Sequence, residues 1–158
     1  MQIKSLVAVI LLSTAFAQPV YAQHRDMPQK GHGHHGGHKK MNPAKLDLVT
    51  EKMSAAGHFK VAISSQTTPV KINCIHAWVL SIKNHSGKPL FDADVLVDGG
   101  MPAHGHGLPT APRVTKELGD GKYLVEGVRF NMGGHWKLKF DITSAQISDE
   151  VTFNLMIN

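Results

Sequence analysis

Trp136, Leu138, Phe140 and Ile142 alternate, residue by residue, with His135, Lys137, Lys139 and Asp141. A period of two is what a pleated strand produces when one face is buried and the other meets water, and a helix cannot gather such a pattern into one stripe. The pattern recurs along the chain. Val151, Phe153, Leu155 and Ile157 alternate with Thr152, Asn154 and Met156, and Phe59, Val61 and Ile63 alternate with Lys60, Ala62 and Ser64. Phe91, Ala93, Val95 and Val97 repeat it. Between Ile72 and Ile82 one parity holds Ile72, Cys74, His76, Trp78, Leu80 and Ile82, while Ile75, Ala77 and Val79 occupy the other. A strand apolar on both faces belongs in the middle of a sheet.

Tyr123 to Phe130 supplies a further strand, and Lys45 to Val49 a short edge strand. Gly, Asn, Asp and Pro punctuate these runs at Asn84–Pro89, Asp98–Gly100, Gly119–Gly121 and Met132–Gly134. A weak helical pattern over 43–56 is the one competitor. Short alternating strands with regular turn signals predict an all-β fold, an immunoglobulin-like antiparallel β-sandwich of about seven strands, over residues 44–158.

The segment ahead of this domain has two parts. Lys4, the apolar run Leu6–Phe16 and the small-residue site Val20-Tyr21-Ala22 form a secretory signal peptide over 1–22, with Ala17 as an alternative cleavage point. The apolar run is well short of the roughly 20 residues a spanning helix needs, so the mature chain is expected to be exported, periplasmic or secreted, and not to span a membrane. Residues 23–43 carry His24, His32, His34, His35 and His38 among glycines and lysines, with almost no apolar bulk. Such a segment cannot bury enough surface to offset its ordering entropy and reads as disordered, and its histidines suit metal capture.

Cys74 is the only cysteine of the 158 residues, so no internal disulfide forms, and burial as a small hydrophobe is expected for it. The formal charge of +5 is spread along a chain with few aromatic residues, which argues against nucleic acid as a partner.

The candidate chemistry lies in Gly99-Gly-Met-Pro-Ala-His-Gly-His-Gly107, read as a loop that Gly and Pro keep out of regular structure. Met101, His104 and His106 offer one thioether and two imidazoles, a mixture that suits copper better than zinc or nickel. A second turn carries Met132 and His135 and can close over the same end of the sandwich. Met132 continues the inward parity of Leu124, Val128 and Phe130, so it serves either the core or the metal. His135 is opposite in parity to Trp136 and is expected to face solvent; it is a ligand only if that side carries the site. His76, on the face of Trp78, is either a satisfied core histidine or a further ligand. Asp92, Asp94 and Asp98 form no acid–base pair and no nucleophile stands beside a base, so a non-enzyme is expected.

His76-Ala-Trp78, Asp98–Val114, Gly119–Tyr123 and Phe130–Trp136 together resemble the YtkA-like/FixH-like family of exported or membrane-tethered bacterial domains. The resemblance implies an immunoglobulin-like sandwich associated with copper handling, with a copper-dependent membrane or respiratory complex as partner. It places the family's Met-Pro loop on Met101, His104 and His106, and its second methionine on Met132. The expected function is therefore that of a periplasmic copper carrier, chaperone or tolerance factor. The competing expectation is a metal-free module that helps assemble a membrane or respiratory complex.

Overall fold

The computed structural model describes residues 46–158. The expected signal peptide over 1–22, the His-rich segment with His24, His32, His34, His35 and His38, and Lys45 lie outside the described residues. Nine strands follow one another: β1 (Glu51–Met53), β2 (Phe59–Ser65), β3 (Ile75–Asn84), β4 (Asp94–Met101), β5 (His106–Gly107), β6 (Arg113–Gly119), β7 (Lys122–Arg129), β8 (Gly134–Ser144) and β9 (Ile147–Ile157). They form two antiparallel sheets, ordered β1-β2-β3-β7-β6 and β5-β4-β8-β9. The inward residues of both sheets build one core, with Trp136, Tyr123, Phe130, Phe140 and Phe153 as its largest fully buried side chains.

The all-β sandwich matches the expectation, with more strands than the alternation disclosed. The additional strands are short or edge-lying: β1, β5 and β6 have one neighbour each in their sheets. An edge strand with little buried area leaves no clean apolar stripe, and β6 buries none of its residues fully. The weak helical pattern over 43–56 yields no helix among the described residues; pairing begins instead at Glu51, opposite Ala62. The edge strand placed at 45–49 is absent over its described part, 46–49.

β3 is central, between β2 and β7, and buries His76, Trp78, Leu80 and Ile82 as its parity requires. Its start is later than the apolar run suggests. Asn73 has a left-handed φ of 61° and donates its N–H to the Phe130 carbonyl at 2.7 Å, so the chain turns before Ile75. Cys74 lies in that turn and is exposed, not buried. The turn breaks the parity that would have carried the thiol inward.

Phe91 is likewise exposed, because β4 does not begin until Asp94. The loop before β4 is held by Tyr123, whose buried ring places its hydroxyl to donate to the Leu90 carbonyl at 2.8 Å and to accept the Ala93 N–H at 3.1 Å. The side chain of Asp149 on β9 clasps the β1–β2 turn. It accepts from Ser54 Oγ at 2.6 Å, from the Ala56 N–H at 3.0 Å and from the His58 N–H at 3.2 Å.

Candidate metal centre

β4 runs past Val97 to Met101, through the segment the sequence marks as a loop. Glycine makes that possible. A Cβ on Gly99 would stand 2.4 Å from the Lys137 carbonyl oxygen, and one on Gly100 would stand 2.5 Å from the His106 carbonyl oxygen. Neighbouring backbones therefore approach both positions more closely than any side chain allows. The chain then reverses tightly: the N–H groups of His104 and Gly105 both donate to the Met101 carbonyl at 3.0 Å. Gly105 takes a φ of +66°, and β5 returns with His106 opposite Met101. The Met-Pro-Ala-His-Gly-His segment is thus the tip of a β-hairpin at the edge of the second sheet.

Cross-strand partners share a face. Met101 points inward and is only 5% exposed, which corrects its placement on an open loop. His106 stands beside it at the exposed sheet edge, with its ring 5.7 Å from that of Trp136 in an edge-to-face arrangement. His104 lies 5.7 Å from His106, ring to ring. The turn before β8 closes against the same place. The Met101 methyl packs where Gly134 leaves room, 2.7 Å from where a Cβ would sit, and Trp136 Nε1 donates to the Met132 carbonyl at 3.0 Å. The 99–112 and 131–136 segments therefore meet, and the hairpin that carries Met101, His104 and His106 lies beside the turn that carries Met132. Met132 is 36% exposed, so its thioether is not committed to the core.

An open groove of about 550 Å³ runs along this hairpin, lined by Gly99, Gly100, Met101, His106 and Lys137 among others. It gives solvent a route to the otherwise buried Met101. Alanine at Gly100 should push the hairpin strands apart, costing about 1–2 kcal/mol of stability. Chemical denaturation of Gly100→Ala measures that loss.

The other two candidate histidines, His76 and His135, lie apart from the hairpin pair. His76 is buried, donates Nε2–H to the Lys71 carbonyl at 2.7 Å, and meets Phe130 at a ring separation of 6.5 Å. Phe130 in turn packs on Trp136 at 5.3 Å, so an aromatic ring lies between His76 and the hairpin histidines. His135 faces away from Trp136 as expected, yet it is buried, not solvent-facing. Its outer face is covered because Asn154 of β9 reaches both its Nε2, at 2.9 Å, and the Asp47 carbonyl, at 2.9 Å, tying the segment before β1 across the sheet. Sequence parity gave the face of His135 and could not show that another segment crosses it.

Among the described residues, no three His, Cys, Asp or Glu side chains gather around a point. A site made wholly of imidazole, thiolate and carboxylate is therefore absent there.

The YtkA-like family model matches residues 53–141, and the chain belongs to that family. The solved ZirS C-terminal domain aligns over 87% of this chain and 86% of its own length, at 11% identity and a TM-score of 0.39. A search of curated proteins finds no match.

Proposed function

We propose that this chain is an exported copper-binding protein, a carrier or tolerance factor, that holds the ion at the hairpin tip. Met101, His104 and His106 are the ligands, Met132 completes the set from the neighbouring turn, and the histidines of residues 23–43 capture metal for it. The observation that carries the reading is the tight reversal after Met101. That reversal brings His104 and His106 back beside Met101 on one hairpin, next to the turn that carries Met132, and this supports a shared thioether–imidazole site. Thioether and imidazole also tolerate an oxidising compartment better than an exposed thiolate does.

Competition titration with Cu(I) and Cu(II) tests this on the exported chain, with the tail histidines intact or replaced by alanine. The triple variant Met101→Leu, His104→Ala, His106→Ala should lose at least about 100-fold in affinity for the domain site, since changing even the residues behind a metal's ligands typically costs 10–100-fold. Unchanged affinity would sink the reading. Zinc and nickel should compete poorly.

One observation favours a second reading, a metal-free docking module. Ile72 and Ile75 are exposed, Ile75 to 70%, next to the Asn73–Phe130 contact and so near Met132. A pull-down of a membrane or respiratory complex that persists in chelator, and fails on Ile75→Lys, would support that reading in place of copper carriage.

A further inference from the structure

The second sheet carries another thioether–imidazole pair on its opposite face. His135 stands directly across the β8–β9 ladder from Met156. Residues opposite each other in an antiparallel pair have Cβ atoms roughly 4.5–5.5 Å apart and side chains on one face. That face is the one turned away from Trp136, and so from Met101 and His106.

The Asn154 amide orients the His135 ring through one of its nitrogens. Nδ2 of Asn154 donates to the Asp47 carbonyl at 2.9 Å, which turns Oδ1 toward His135 Nε2, also at 2.9 Å. An oxygen acceptor requires the proton on Nε2, and the neutral ring then keeps its lone pair on Nδ1. Nδ1 is buried and has no hydrogen-bond partner among the described residues, in a side chain only 9% exposed. A buried acceptor without a donor is rare in a folded protein and invites an occupant. An imidazole oriented through one nitrogen by an amide, with the other nitrogen free, is prepared as a metal ligand. The facing thioether selects a soft ion.

Charge narrows the choice further. Lys137 follows on the same face, and the Asp47 carboxylate is already engaged by Lys52 at 2.9 Å. A divalent ion would find a cation nearby and no free carboxylate from these elements, whereas a monovalent ion needs less compensation. We propose that His135 Nδ1 and Met156 Sδ form a second site, on the outer face of the sheet, for a soft monovalent cation of the Cu(I) type. It shares no residue with the hairpin and stands or falls without it.

Silver(I), a redox-inert probe of the same softness, tests the site when titrated into the exported chain while methionine methyl groups are followed by carbon–proton NMR. The Met156 methyl, identified by its loss in Met156→Leu, should shift on adding silver, and His135→Gln should abolish that shift. Met156→Leu keeps the volume and so the fold, and it should lower the bound stoichiometry by one. In the triple hairpin variant the Met156 shift should persist. A Met156 methyl that stays put while Met101 and Met132 move overturns this site and leaves the hairpin reading standing. Movement of Met156 alone supports this site and overturns the hairpin. No methyl shift at all overturns both.

Discussion

Replacing Trp136 with alanine should destabilise the protein by about 3–5 kcal/mol, the range for deleting a large buried aromatic side chain. Trp136 is fully buried and sits where three parts of the molecule converge. Phe130 packs on it edge-to-face at 5.3 Å, His106 at 5.7 Å, and its Nε1 donates to the Met132 carbonyl at 3.0 Å. Alanine leaves a cavity and an unpaired carbonyl, and it removes the wall against which the hairpin histidine rests. Trp136→Phe separates these effects: it keeps most of the packing and removes the Nε1 bond, at about 1–2 kcal/mol. Urea denaturation of both variants gives the stability losses. A loss below that of the phenylalanine variant in Trp136→Ala would show that the core collapses around the gap.

The second large effect concerns Asp149. Burial pushes its carboxyl up, but hydrogen bonds from Ser54 Oγ and from the N–H groups of Ala56, Glu150 and His58 outweigh that and hold it at about 2, against an ordinary 3.8. Asp149→Ala should cost about 2–3 kcal/mol at neutral pH, because several donors lose a charged acceptor together. The pH dependence follows from the lowered value. The carboxylate's extra stabilisation is complete above the unfolded pKa of 3.8 and disappears as pH falls through about 2. Because the group is partly solvated, its pH-linked share is about 1–2 kcal/mol after allowing for screening. Denaturation curves of wild type and Asp149→Asn at pH 7 and pH 2 should converge at the acid end. A gap of equal size at both pH values would refute the ionic origin of the clasp.

Alternation was legible wherever a strand had one neighbour sheet and one wet face. Trp136, Leu138, Phe140, Ile142, Val151 and Phe153 are buried as their parity required. It failed at strand ends, where a single left-handed residue resets direction. Asn73, with φ of 61°, put Cys74 outside, and Asp92, with φ of 54°, precedes a β4 that begins after the exposed Phe91. The Gly-rich segment 99–107 was legible as special but not as a strand. Glycine marks both loops and close backbone approach, and only the Lys137 and His106 carbonyls decide between them.

The sequence by itself determined the two-sheet class, the inward face of each long strand and the residue types able to meet a soft metal, because period and chemistry are local properties. Tertiary structure alone decided which of those residues meet. Met101 and His106 pair across a hairpin, the Met132 turn closes beside them, and Phe130 stands between them and His76. It also buried His135, through a side chain 19 residues away and a backbone carbonyl from before the first strand. Those contacts join segments far apart in the chain, and strand parity carries no information about which segment will lie across a face.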